Sequence, residues 1–109
     1  MEYKVCDRKL LFVEDDERLR EEMIGYFSPQ NTVRSASDVE AAAEILEKEG
    51  NFDAVILDLV LRHSMGLDLF GAFPALPPVI ILSSLGEEDT VMAGLTSGAA
   101  DYVTKPCSM

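Results

Sequence analysis

Basic residues are scarce in this sequence, nine against twenty acids, and the formal net charge of -11 surrounds the chain with a negative field. Such a field repels phosphate backbones, so direct nucleic-acid binding by this segment is not expected. Cysteine is scarcer still. Cys6 and Cys107 stand near opposite ends and form neither a CxxC pair nor a zinc-ligand spacing, so both are read as reduced thiols without a chemical role. No apolar run approaches the ~20 residues that span a bilayer. The start, MEYKVCDRKL, carries charges throughout and lacks the apolar core of a signal peptide. The expectation is a soluble, cytoplasmic protein with no membrane partner. Repeats and low-complexity segments are also lacking, and no glycine-rich phosphate loop follows the first apolar run.

What is present suits one globular domain: 109 residues, of which 48% are hydrophobic. That is enough to bury somewhat more than ~60% of the unfolded surface, which argues against intrinsic disorder. Short apolar runs rich in branched residues recur along the chain, Lys9–Val13 (KLLFV), Ala54–Leu57 (AVIL) and Val79–Leu82 (VIIL), each too short for a helix. Weaker strand signals cover Thr32–Ser35 and Asp101–Val103. Between them lie amphipathic stretches in which Leu19, Met23 and Phe27 share one face, then Val39, Ala42, Ala43 and Leu46, and later Val91, Met92 and Leu95. A shorter helix is expected over Leu67–Phe73. Gly50, Pro74, Pro77, Pro78 and Gly98 punctuate the joins. Alternation of this kind predicts an α/β fold, a parallel sheet with helices on both faces and right-handed crossovers.

The pattern stops at KPCSM, where a helix over the last strand would begin with Ser108 as its N-cap. Residues 1–109 therefore read as the amino-terminal part of something longer, with the final helix missing from this chain.

In an open parallel sheet, ligands bind outside the carboxyl ends of the strands, at the point where strand order reverses. Four acids, Glu14, Asp15, Asp16 and Glu17, follow the first run; Asp58 follows AVIL, Ser83 follows VIIL and Lys105 follows DYV. Carboxylates about 4 Å apart repel by roughly 4 kcal/mol at an effective dielectric near 20, so such a cluster needs a counter-charge. A hard cation such as Mg²⁺, which takes oxygen ligands, would relieve Glu14, Asp15 and Asp58. Asp58 is then a nucleophile toward a phosphoryl group, with Lys105 and the metal neutralising the charge on its oxygens and Ser83 donating a hydrogen bond to the product. Asp16 and Glu17 have a plainer explanation, since acids in a first helical turn are favoured by the helix dipole. Taken singly, a strand-end Asp or Ser is more often a cap or turn former, and Lys105 a solvated charge. Joint placement at different strand ends is what points to chemistry.

KLLFVEDDERLR, DAVILDLVLRHSMGLDL and PPVIILSSLGEEDTVMAGLTSGAADYVTKP together resemble the receiver domain of two-component response regulators, over nearly the whole chain. The resemblance implies a flavodoxin-like, doubly wound five-stranded sheet in the order 2-1-3-4-5. It also implies that Asp15 ligates Mg²⁺ directly and Glu14 through water, with Asp58 the phosphoacceptor and the main-chain carbonyl of Val60 a further ligand. Ser83 resembles the switch hydroxyl, Tyr102 the switch aromatic, and Lys105 the phosphate-binding lysine before a Pro106 that is usually cis. Tyr102 as a plain core residue remains the alternative. A sensor histidine kinase is the implied phosphoryl donor. A homodimer through the last helix and strand and a covalently linked output domain acting on transcription are the implied partners.

Some positions depart from the family pattern. Arg62 stands where proline is usual four residues after the acceptor, Met65 precedes the loop Gly66 in place of an acid, and Cys107 replaces an aromatic. His63 is read as a solvated loop histidine, not a second phosphorylation site. Val60 and Leu85 flank the acceptor and offer no amide or acid to orient a water, which predicts a domain that catalyses its own phosphorylation but only slow dephosphorylation. A degenerate receiver acting as a phosphorylation-independent binding module is the competing reading. An aspartyl phosphatase would place another acid two residues after Asp58, where Val60 stands.

Overall fold

Each branched apolar run becomes a strand, and every strand is extended by the requirement to pair its backbone. The computed structural model describes residues 7–61, 64–73, 75–84 and 86–105. Cys6, Arg62, His63, Leu85, Pro106, Cys107 and Ser108 lie outside the described residues, and with them the two thiols, the loop histidine, the Lys105–Pro106 bond and the final cap. Strands β1 (Lys9–Val13), β2 (Thr32–Ala36), β3 (Ala54–Asp58), β4 (Val79–Ser83) and β5 (Asp101–Thr104) alternate with helices α1 (Glu17–Phe27), α2 (Val39–Glu49), α3 (Asp68–Ala72) and α4 (Glu88–Ser97). All strand pairs are parallel, in the order β2-β1-β3-β4-β5. This is the doubly wound, flavodoxin-like arrangement expected, and its strand order reverses between β1 and β3.

Alternate strand residues feed two cores. Leu11, Val13, Val55, Leu57 and Ile81 point to one face, where Ala42 and Leu46 of α2, Leu69 of α3 and Val91 of α4 cover them. Leu10, Phe12 and Leu82 point to the other face, under Met23 of α1. Phe12 also stacks obliquely on Phe27 at 5.6 Å between ring centroids. Each completely buried aliphatic side chain stabilises the fold by ~1.5 to 3 kcal/mol, so the central strands anchor everything attached to their ends.

β3 and β4 run one residue past the expected ends, which makes Asp58 and Ser83 the last residues of strands and not the first residues of loops. Strand residues are held by the sheet, so both polar groups inherit the rigidity of the core. α3 is shorter than Leu67–Phe73, with Leu67 an N-cap that makes no side-chain cap hydrogen bond and Phe73 a C-cap whose N–H donates to Leu69 O. Met92 is a correction: it is 61% exposed and does not share the buried face of α4. The reason is Gly94, where an added Cβ would stand 2.4 Å from Ile81 Cδ1. That close approach turns the Val91–Gly94 stripe inward and rotates Met92 out to solvent. β5 is exposed along its whole length, Tyr102 by 47% and Val103 by 42%.

Candidate functional site

The carboxyl ends of β1, β3, β4 and β5 meet on one edge, and the turn after β1 is tied from several sides. Glu14 follows β1 directly; its N–H donates to Ala36 O of β2 at 3.0 Å, which continues the parallel pairing, and its side chain is completely buried. The Glu14 carboxylate accepts from Asp16 N at 3.0 Å through Oε1. Asp16 in turn is the N-cap of α1, accepting from Leu19 N at 3.2 Å, and Arg20 Nη1 donates to the Glu14 carbonyl at 2.8 Å. Asp15, half-buried, is carried between these fixed neighbours.

Asp58 ends β3 and is 5% exposed. Its Oδ1 accepts from Val60 N at 3.0 Å and its Oδ2 from Lys105 Nζ at 2.8 Å. Lys105 follows β5 and its own N–H donates to Ser83 O, so the main chain of β4 sets where the lysine stem starts. Nζ also lies 2.9 Å from Glu14 Oε2, close enough for an ion pair but not aligned as a hydrogen bond. One ammonium thus bridges two buried carboxylates. Beyond Asp58 the chain folds back through the Val60–Met65 bridge, with Gly66 N donating to Leu59 O at 2.7 Å. A Cβ at Gly66 would stand 2.1 Å from Asp58 O, so this return requires glycine.

Electrostatics follow from burial. Burial, more than any other cause, pushes the Glu14 carboxyl up to about 7, and the neighbouring Asp58 carboxylate pushes the same way, against Lys105 and the Asp16 amide. Burial works against the Lys105 ammonium, but Asp58 and Glu14 outweigh it and hold its pKa above the ordinary lysine value. One ligand atom each from Glu14, Asp15 and Asp58 lies within 4.8 Å of the others, an all-oxygen set suited to a hard divalent cation. Asp15 of this set also lines an open cleft of about 820 Å³, together with Asp16, Val60, Leu61 and α1 residues.

This geometry agrees with what the chain is similar to. A family model described as the response regulator receiver domain matches residues 10–109. The chain belongs to the response regulator receiver domain family.

Among curated relatives of this receiver domain, the transcriptional activator protein PfeR of Pseudomonas aeruginosa is 38% identical over 104 residues, covering 93% of this chain and 34% of that protein. The transcriptional regulatory protein SrrA of Staphylococcus aureus is 32% identical over 103 residues, covering 92% of this chain and 42% of that protein. The receiver domain therefore spans between a third and a half of those relatives' length. Among solved structures, the Francisella response regulator 1452 receiver domain matches with a TM-score of 0.82 at 28% identity, over 94% of this chain and 87% of that one. The receiver domain of NtrX from Brucella abortus matches with a TM-score of 0.81 at 28% identity, over 91% of this chain and 87% of that one.

Of the residues singled out from the sequence, the receiver domain brings Glu14, Asp15, Asp58 and Lys105 into one cluster. Val60 sits beside it, 46% exposed, with its N–H donating to Asp58 Oδ1. Ser83 is buried on the neighbouring strand, one residue beyond Leu82, which pairs with Asp58. Tyr102 lies apart from the carboxylates, lining a cavity of about 330 Å³ with Ser83, Val91 and Leu95. Sequence reasoning passed over Arg20 and gave Gly66 no part in the site. A basic residue one turn into a helix that opens on acids was the available signal for Arg20. For Gly66 there was none beyond its being a glycine near Asp58. Among the described residues no helix is long and apolar enough to cross a membrane.

Proposed function

We propose that this receiver domain is a phosphorylation-activated switch in which Asp58 accepts a phosphoryl group from a phosphohistidine of a sensor histidine kinase. A single observation carries the reading: Asp58 ends a central strand, buried, with one oxygen on the Val60 amide and the other on Lys105, grouped with Glu14 and Asp15 beside an acidic cleft that Asp15 and Val60 line. Such a carboxylate is oriented before any donor arrives. A carboxylate oxygen of Asp58 attacks phosphorus, the P–N bond to the donor imidazole breaks, and the nitrogen leaves with the bonding electron pair. Lys105 already contacts the acceptor and offsets the charge gathering on the phosphoryl oxygens.

The donor set formed by Glu14, Asp15 and Asp58 fits Mg²⁺, with Val60 beside it for a main-chain ligand. Bound there, the ion supplies positive charge for in-line phosphoryl transfer and relieves the repulsion among the three acids. The chain's own residues do the rest: the Asp16 amide and Lys105 hold Glu14, Val60 N–H orients Asp58, and the hydroxyl of Ser83, the last residue of β4, donates to the new acyl phosphate. Output follows from β4 to β5. Drawing Ser83 toward the phosphoryl group opens the cavity it lines, and Tyr102 turns into it, changing the α4 and β5 surface. That surface is the proposed contact for a second copy or for an output domain in a longer regulator. The names of the curated relatives support transcriptional control as the output.

The test is intact mass after incubation with a small phosphoryl donor and Mg²⁺, beside Asp58→Asn, with circular dichroism confirming folded samples. One phosphoryl adduct, lost in the variant and without Mg²⁺, is the expected result. No adduct on folded protein would replace this reading with a phosphorylation-independent binding module.

A further inference from the structure

We propose that Arg20 is a positioning residue for the metal site, fixing the turn that presents Asp15. The inference rests on the metal reading above and adds to it a side chain that is not itself a ligand. Arg20 is the fourth residue of α1, half-buried, and its Nη1 donates to the Glu14 carbonyl at 2.8 Å. That carbonyl belongs to the peptide unit joining Glu14 to Asp15. A peptide unit is planar, so fixing its oxygen fixes the direction of the Asp15 N–H and Cα at the same time. The other atoms of the turn are fixed by different partners: Glu14 N by Ala36 O at 3.0 Å, Glu14 Oε1 by Asp16 N at 3.0 Å, and the Asp16 carbonyl by Arg20 N at 2.9 Å. Arg20 therefore closes a loop of hydrogen bonds around the residue between them, holding it with both its side chain and its main chain.

Precision matters here because Mg²⁺ demands near-octahedral oxygen placement, and the oxygens of Glu14, Asp15 and Asp58 that would serve it come from two different strand ends and lie within 4.8 Å of one another. Loss of an outer partner that orients a ligand typically costs 10- to 100-fold in metal affinity. The guanidinium charge acts in the opposite direction, since a cation near the site repels another. The two contributions have opposite signs, and that makes the assignment testable.

Mg²⁺ binding to the intact chain is measured by titration calorimetry for the wild type, Arg20→Met and Arg20→Lys, alongside melting temperature without metal. The expected result is a Kd about tenfold weaker for Arg20→Met. Arg20→Lys, which keeps the charge and a donor, recovers at least half of that loss on a logarithmic scale. A purely structural role would lower the metal-free melting temperature of Arg20→Met and leave its Kd unchanged, which overturns the proposal. Tighter Mg²⁺ binding by Arg20→Met also overturns it, because charge would then be the whole effect. Wild type that binds no Mg²⁺ overturns both this assignment and the metal reading, whereas wild type and Arg20→Met binding alike overturns this assignment alone.

Discussion

Glu14→Gln removes one titrating group and almost no shape, and its effect should depend on pH in a defined way. Glu14 is completely buried, and burial is the main reason its carboxyl is pushed up to about 7, with Asp58 adding to it. In the unfolded chain the group returns to its ordinary 4.5. Between those values the folded protein holds a proton that the unfolded chain has released. Stability therefore falls as pH rises from about 4.5 to about 7 and levels off above that. Across the window the loss is up to about 3 kcal/mol at 1.36 kcal/mol per pH unit. Glutamine keeps an acceptor for the Asp16 amide but does not titrate. Chemical unfolding followed by circular dichroism, in chelator and from pH 5 to 8, gives the difference between the two proteins at each pH and cancels the other carboxyls. Glu14→Gln should gain on the wild type as pH rises, with most of the gain complete by pH 7.5. A difference that stays constant across this range would refute the argument, since it would mean that Glu14 is ionised in the folded protein throughout.

Lys105→Met leaves Glu14 and Asp58 buried without the ammonium that bridges them, so the metal-free protein should lose about 3 to 5 kcal/mol at pH 8 in the same unfolding assay. Its rate of phosphoryl uptake from a small donor should fall by roughly 10²-fold even with Mg²⁺. Val60→Asn places an amide at the exposed mouth of the site, beside the acceptor, and should shorten the lifetime of the phosphoryl adduct measured by intact mass. An unchanged lifetime would count against slow self-dephosphorylation as a consequence of an apolar flank. Gly66→Ala drives a Cβ to 2.1 Å from Asp58 O, against main chain that cannot yield cheaply, and should cost about 1 to 3 kcal/mol and slow phosphoryl uptake.

The fold was legible because hydrophobic burial dictates it. KLLFV, AVIL and VIIL are too short for helices and, Lys9 apart, apolar throughout, as strands covered on both faces must be, and each became a central strand. Boundaries were less legible. Asp58 and Ser83 are polar, so composition places them after the strands, whereas backbone pairing includes them. Met92 misled for a different reason: helical periodicity put it beside Val91, but the glycine two residues later brings that side of α4 onto Ile81. The site itself was legible as a set of strand ends. What periodicity could not show is which oxygens Lys105 bridges, because that depends on burial and on the reach of one side chain from β5 across to β1. Nor could it show the partner of Arg20, a main-chain carbonyl that every residue carries, even though a basic residue one turn into α1 was visible.

The magnitudes at Tyr102 bear on how the proposed switch is set. An aromatic side chain buries ~150 to 250 Å². With 47% of Tyr102 exposed beside a cavity of about 330 Å³, turning it inward would bury further area worth about 2 kcal/mol at ~25 cal/mol per Å². Moving an equilibrium from 1:99 to 99:1 needs about 5.5 kcal/mol, so ring burial alone leaves the switch incomplete. Each hydrogen bond to a charged group contributes about 1.5 to 3 kcal/mol, and the proposed acyl phosphate draws on two donors, Ser83 and Lys105. Lys105 is already committed to Asp58 and Glu14 before phosphorylation, so its gain on modification is the smaller of the two. The difference between the states therefore falls mainly to Ser83, the residue that also walls the cavity. Ser83→Ala should accept a phosphoryl group and yet leave Tyr102 largely outward, as read from the nuclear magnetic resonance of its ring. A full inward shift in that variant would place the coupling elsewhere than at the end of β4.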